Sequence, residues 1–311
     1  MKVIIVSGPT ASGKTDLSIA LAIKYGGEIV NFDSLLLYQE LNIGTAKPTP
    51  EERSFVPHHM IDVRSIRNPM NAADYARTAI EEINRIHERG LVVYLVGGSG
   101  FYLQAVLKGM YDSPTTPNEI REKSNHLYSQ AGIAPFIEIL KDCDPLSFKR
   151  YHENDHYRVR RAVEHWWAHG TALSSEREKK DEENKEIPES IHNWEILHIH
   201  LDLPKEEHLK IIERRTDKMI CEGLQSEVEK LLESGFSGLE KPLQSIGYKE
   251  MLDLRFGVYK SIRECRDRIL ISTWQLAKSQ RTWFKKDQTR IVFHPLEQRD
   301  LVFARVKEFL K

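Results

Sequence analysis

Near its amino end the chain reads GPTASGKT, Gly8 to Thr15, which matches the phosphate-loop pattern G-x-x-x-x-G-K-[ST]. No other stretch restricts the fold as strongly, because of what flanks it. KVIIV, Lys2 to Val6, is a β-branched run that leads into the loop. KTDLSIALAIKYG follows with helical apolar spacing and a glycine stop. In a strand–loop–helix unit of this kind, backbone N–H groups and the helix N-terminus surround an anion. Lys14 adds a point charge, and the Thr15 hydroxyl can hold Mg²⁺. The motif therefore predicts a diphosphate or triphosphate site.

Two further segments, GEIVNFDS (Gly27 to Ser34) and LVVYLVGGSG (Leu91 to Gly100), read as buried strands ending in polar or glycine residues. Between them NAADYARTAIEEINRIHERG has the pattern of an amphipathic helix with Asn71 as its cap. Strands alternating with helices predict an α/β fold, a P-loop NTPase-like core whose parallel sheet is flanked by helices and gathers ligands at its strand C-termini. From about Pro114 helical patterns follow one another without strands, which predicts a helical insertion domain over 114–190. Its last stretch, SSEREKKDEENKEIPES (Ser174 to Ser190), reads as a solvated connector. WEILHIHLDL, Trp194 to Leu203, restores a strand. The core is thus expected to comprise 1–113 and 191–311, closed by four helical patterns.

Composition sets the remaining bounds. Of 311 residues, 40% are hydrophobic, enough for a sizeable core, and 45 basic against 46 acidic residues leave a net charge of −1. A polyanionic partner must then be met by a local basic patch. The three cysteines, Cys143, Cys221 and Cys265, are far apart and form no C-x-x-C pair, which argues against a disulfide framework and a zinc site. With no signal segment ahead of the first strand and no apolar run of membrane length, a cytoplasmic protein without membrane contact is expected.

The loop alone leaves its ligand open. No N-K-x-D element points to a GTPase, and the second strand ends in the single carboxylate Asp33 rather than a D-D or D-E pair. Asp33 should project over the same sheet edge as the loop. It can stand behind a magnesium ion or cap a helix, or it can be a general base acting on an acceptor near the leaving group.

Five further stretches follow the loop in order: DSLLLYQELNIGTAKP (Asp33 to Pro48), HHMID (His58 to Asp62), GGSGFYLQAVLKG (Gly97 to Gly109), HENDHYRVRRAVE (His152 to Glu164) and QSIGYKEM (Gln244 to Met251). Together they resemble the tRNA dimethylallyltransferase family, also called tRNA isopentenylpyrophosphate transferases, in its bacterial form. The resemblance covers essentially the whole chain. It implies transfer of the five-carbon group of dimethylallyl diphosphate to N6 of the adenosine just 3′ of the anticodon, with pyrophosphate as leaving group and Mg²⁺ as cofactor.

On that resemblance Gly8, Pro9, Thr10, Ala11, Ser12, Gly13, Lys14 and Thr15 grip the diphosphate together with Arg215. Thr15 holds the metal, and Asp33, Lys14 and Thr15 carry the chemistry. Asp33, Ser34, Leu35, Leu36 and Ser99 line the path of the target adenine, which must leave the anticodon stack to react. Arg121, Tyr157, Arg158, Val159, Arg160 and Arg161 would meet the tRNA anticodon stem-loop. Gln244, Gly247, Tyr248 and Lys249 would do the same, the tyrosine by stacking on a base. Arg158 and Arg161, one turn apart, should share a face.

Three positions depart from the family pattern. Ser99 stands where threonine is commoner, and Ile211 and Ser279 stand where arginine is typical. No Cys/His cluster precedes Lys311, so the zinc finger of eukaryotic relatives is not expected, and a monomer without protein partner is. Competing readings are an adenylate isopentenyltransferase acting on free nucleotide, a P-loop small-molecule kinase using Lys14 and Mg²⁺ on ATP, and a non-catalytic RNA-binding relative.

Overall fold

A computed structural model of the chain describes residues 1–109, 116–177, 191 and 193–311. It divides into two compact units, Met1–Lys108 with Ser190–Lys311, and Gly109–Glu189. Most of the charged stretch after Arg177, and the expected boundaries at 113/114 and 190/191, lie outside or beside the described residues.

The first unit is built on six parallel strands: β1 (Lys2–Ser7), β2 (Glu28–Asn31), β3 (His58–His59), β4 (Val93–Gly97), β5 (Glu195–Leu201) and β6 (Ile291–Phe293), in spatial order β3-β2-β4-β1-β5-β6. Val3, Ile4, Ile5 and Val6 of β1 are all buried, because a strand covered on both faces has no polar side to show. β1 lies between β4 and β5, so the loop that leaves its C-terminal end is flanked by the ends of both neighbours. The runs expected to be strands contain β1, β2, β4 and β5. β3 and β6, of two and three residues, are too short for periodicity to reveal.

Helix α1 (Lys14–Tyr25) begins inside the loop and ends at Gly26, whose φ of 75° only glycine adopts freely. It buries Leu17 and Leu21 against Ile4, Val6 and Tyr94, where Val302 and Val306 of the final helix also pack. α2 (Pro50–Phe55) carries a Thr49/Glu52 capping box. α3 (Ala72–Glu88) is capped as predicted, the Asn71 side chain accepting from Asp74 N–H at 2.8 Å. α4 (Gly100–Lys108) follows β4 directly.

The second unit holds α5 (Asn118–Ala131), α6 (Ala134–Cys143), α7 (Pro145–Arg150) and α8 (His156–His169) around a core of Phe136, Leu140, Val159, Ala162 and Val163. After β5 the first unit resumes with α9 (Lys205–Cys221), α10 (Leu224–Glu233), α11 (Tyr248–Arg255), α12 (Ile262–Phe284) and α13 (Arg299–Leu310). That is one helix more than the sequence pattern showed. α10 to α12 bury Leu224, Val228, Tyr248, Met251 and Ile269 against Tyr38 and Leu41 from the segment after β2. Among the described residues no helix is long and apolar enough to cross a membrane.

α12 packs on α4 where Trp283 lies over Gly100. A Cβ added to Gly100 would lie 1.9 Å from the Trp283 ring. Gly100→Ala therefore has to displace an indole, and it should lower unfolding free energy by about 1–3 kcal/mol in urea titrations. A loss below about 0.5 kcal/mol would mean that the ring moves freely and α12 is not seated through this contact.

Candidate diphosphate and acceptor site

The phosphate loop owes its shape to three unusual backbone positions, with φ of 154° at Gly8, 62° at Ala11 and 82° at Gly13. Gly8 has no alternative, because a Cβ there would sit 2.6 Å from the Leu201 carbonyl oxygen and 2.7 Å from Ser12 Oγ. Gly13 starts α1 without any side chain capping the helix, so its first N–H groups are left for an anion. The buried Ser12 hydroxyl makes no hydrogen bond among the described residues, a second polar group left for a ligand.

Thr10 is held on every side. Its N–H donates to Gln280 Oε1 at 2.7 Å, and its carbonyl meets His208 Nε2 at 2.7 Å. Its hydroxyl accepts from Arg215 at 3.1 Å. Gln280 also donates to the Gly98 carbonyl at 3.0 Å, tying the loop to the end of β4. Beneath the loop Ser7 Oγ lies 2.6 Å from His198 Nε2 and 2.8 Å from His200 Nδ1. His198 Nδ1 meets Asp287 at 2.7 Å. Burial lowers the pKa of His200 to about 4, so that imidazole is uncharged at neutral pH.

Lys14 donates to the Pro9 carbonyl at 2.8 Å. Burial lowers its pKa to about 8, with Asp33 pulling the value up and Arg215 pushing it down. Arg215, also desolvated, is lowered from its usual value, again with Asp33 opposing. Two half-buried, desolvated cations thus face one carboxylate, and a bound diphosphate would relieve both. Asp33 is placed by Asn31, whose Oδ1 accepts Asp33 N–H at 2.9 Å while its Nδ2 donates to the Asp33 carbonyl at 3.1 Å. Asp33 Oδ1 caps its own turn by accepting Leu35 N–H at 3.1 Å. Its Oδ2 makes no hydrogen bond among the described residues.

Asp33, Lys14 and Arg215 therefore come together at the loop. Ser34, Leu35 and Leu36 follow Asp33 half-buried, and the Ser99 carbonyl starts α4 by accepting from Tyr102 and Leu103 N–H. The departures fall differently from one another. Ile211 is half-buried and Arg214 exposed on α9. Ser279 is exposed on α12, its hydroxyl turned back to the Gln275 carbonyl at 3.1 Å.

Tyr248 corrects the stacking expectation. Its ring is wholly buried, its hydroxyl donates to Glu227, and a Cβ on Gly44 would lie 2.4 Å from it, so it supports the site region from inside the core. Gln244 and Lys249 remain exposed, the latter paired with Asp253 at 2.7 Å, and Gly247 N–H donates to Glu250 at 2.7 Å.

In the second unit Val159 is likewise corrected, being core. Arg160 donates to Ser124 and Asn125 and lies over the Tyr128 ring at 4.6 Å. Arg161 is half-buried and bonded to Thr116, so it does not share an open face with Arg158. Arg121, Tyr157 and Arg158 stand exposed, Arg158 paired with Asp155 at 2.7 Å.

The family model described as IPP transferase matches residues 36–287. The chain belongs to the IPP transferase family. It is 37% identical over 287 residues to a tRNA dimethylallyltransferase of Geotalea daltonii, covering 92% of this chain and 86% of the relative. It is similar to the crystal structure of a tRNA isopentenylpyrophosphate transferase from Bacillus halodurans, with a TM-score of 0.70, 30% identity, and 99% of this chain and 96% of that one covered. A eukaryotic dimethylallyltransferase acting on tRNA matches with a TM-score of 0.76 at 27% identity, covering 98% of this chain and 77% of its own. In this member of the IPP transferase family, His208, Gln280 and Arg281 reach the loop or its supports; Arg281 reads in the sequence as part of a basic helix face toward nucleic acid, and His208 and Gln280 do not stand out. His208 and Gln280 are each a single polar residue on a long helix, with no local spacing that marks it.

The lowered Lys14 pKa carries a signed prediction. An anion favours the charged amine, so pyrophosphate affinity should be full below pH 8 and fall by up to about tenfold per unit as pH rises through about 8. Titration calorimetry from pH 7 to 9.5 should show the slope in the native chain but not in Lys14→Met. An equal slope in both would assign it to the ligand alone.

Proposed function

We propose that this chain is a tRNA dimethylallyltransferase. It transfers the dimethylallyl group of dimethylallyl diphosphate to N6 of the adenosine immediately 3′ of the anticodon, releasing pyrophosphate. The observation that carries the reading is the meeting of two desolvated cations, Lys14 and Arg215, with Asp33 at the phosphate loop of an IPP transferase family member. A phosphate loop placed to hydrolyse nucleotide would call for a water-positioning group, whereas an allyl transferase calls for a grip on the leaving group and one base.

Mg²⁺ fits the donor set in one specific way. Among the described residues no group of three or more His, Cys, Asp or Glu side chains could hold a metal. The ion would then be held by diphosphate oxygens, the Thr15 hydroxyl and waters, as its preference for retained waters favours. When bound, it would spread the charge that builds on the departing diphosphate.

The chain's own residues do the rest. The loop N–H groups, Lys14 and Arg215 hold the diphosphate so that the C–O bond to the allylic carbon can break toward preset positive charge. The N6 nitrogen attacks that carbon, and Asp33 accepts the proton that leaves the amine, through the oxygen its own turn does not use. Ser34, Leu35, Leu36 and Ser99 would line the way in for the adenine. Arg121, Tyr157, Arg158, Gln244 and Lys249, all exposed, are the residues that would meet tRNA, and a cytoplasmic monomer is the setting in which the chain works.

The test is incubation of the purified chain with labelled dimethylallyl diphosphate, Mg²⁺ and unmodified tRNA, followed by nucleoside mass spectrometry. The five-carbon group should appear on the adenosine beside the anticodon, and label left on diphosphate with tRNA present would overturn the reading. Asp33→Asn should cut transfer by about 10²- to 10⁴-fold while leaving pyrophosphate binding in place. Turnover within about threefold of native would remove Asp33 from proton transfer.

A further inference from the structure

The loop contains a strained peptide with a conspicuous anchor. Ala11 sits at φ 62°, a conformation that costs a residue with a Cβ about 1–2 kcal/mol. It is linked to Thr10, whose carbonyl oxygen lies 2.7 Å from His208 Nε2. In a trans peptide the carbonyl and the following N–H point in opposite directions. Whatever draws the Thr10 carbonyl toward α9 therefore turns the Ala11 N–H away from α9 and fixes the loop's curvature at that point.

His208 is suited to this by its surroundings. It is fully buried, and Arg281 Nη2 lies 2.6 Å from its Nδ1. A guanidinium can only donate, so Nδ1 is the accepting nitrogen and the proton resides on Nε2, facing the Thr10 carbonyl. Arg281 is itself held by Asp202 at 2.7 Å and by the Leu203 carbonyl at 3.2 Å, directly after the end of β5. The Trp274 ring closes the arrangement, 5.2 Å from the guanidinium and 5.8 Å from the imidazole. The order Asp202, Arg281, His208, Thr10 is thus a directed chain of donors and acceptors from the sheet to the loop.

We infer that His208 is a positioning residue for diphosphate binding, a neutral imidazole whose Nε2 proton, directed by Arg281, holds the Thr10–Ala11 peptide in its anion-binding orientation. This rests on the diphosphate reading of the loop and deepens it. Arg281 thereby acquires a role of its own, because its charge reaches the loop through an imidazole, on a helix whose Ser279 faces outward. Burial is the largest influence on His208 and keeps it neutral. Arg281 and Lys14 act in the same direction, while the Thr10 carbonyl and Asp202 oppose them. A charged His208 would have no lone pair for Arg281, so the chain of donors works only in the neutral state.

Binding of magnesium pyrophosphate by calorimetry at pH 7.5 tests the inference on native protein, His208→Gln, His208→Asn and His208→Leu. The Gln amide can reach where Nε2 lies, and the Asn amide, one methylene shorter, cannot. Gln should bind within about threefold of native, while Asn and Leu should each bind about tenfold or more weakly, the scale of one lost hydrogen bond to a buried carbonyl. The Gln/Asn contrast holds even if Leu fails to fold, since both amides keep a polar group at the site. Asn or Leu within twofold of native, or Gln as weak as Asn, would overturn the role of His208. A native chain that binds no pyrophosphate would overturn the diphosphate reading together with it.

Discussion

Charge taken out of water governs the core unit. Lys14 and Arg215 stand half-buried around the phosphate loop with Asp33 as the opposing carboxylate, and desolvation lowers the pKa of both. That desolvation is tolerable only if the surroundings cannot relax and if an anion is the usual occupant. The rest of the unit supplies the rigidity. Parallel strands buried on both faces set the loop's origin, β5 closes against Gly8, and α9 and α12 reach across to hold Thr10. The Ser7, His198 and His200 layer below adds polar support, with Asp287 behind His198.

Much of this was legible in the sequence, for reasons that differ by element. The loop and the buried strands were readable because each is a local pattern with a local cause: glycines where the backbone turns left-handed, β-branched runs where both faces are covered. Asp33 was readable because it follows directly after β2, where the chain leaves the ligand-gathering edge of a parallel sheet. What escaped was whatever depends on distant chain segments. β3 and β6 exist only because longer neighbours offer them edges. Gln280 and His208 look like ordinary helix surface until the tertiary fold turns them toward Thr10.

The second group of expectations shows the opposite error. Tyr248 and Val159 lie in motifs for which the family resemblance implied contact with RNA, yet both are buried. Burial is decided one residue at a time on a helix: within HYRVRR, Arg158 is open, Val159 is core, and Arg160 and Arg161 are folded into side-chain contacts. A motif marks a region, and the 100° step between successive helical residues decides which of its members can reach a partner.

The clamp on Thr10 also sets a timetable. Thr10 and Gln280 are 270 residues apart in the chain. At ribosomal rates of roughly 5–20 residues per second, the loop emerges about 15–50 s before its last brace is made. During that interval the nascent chain carries Lys14 with its glycine turns but without the groups that order them, so it is solvated, charged and slack. The loop is therefore made long before the helix that braces it, and the order of the site waits on α12.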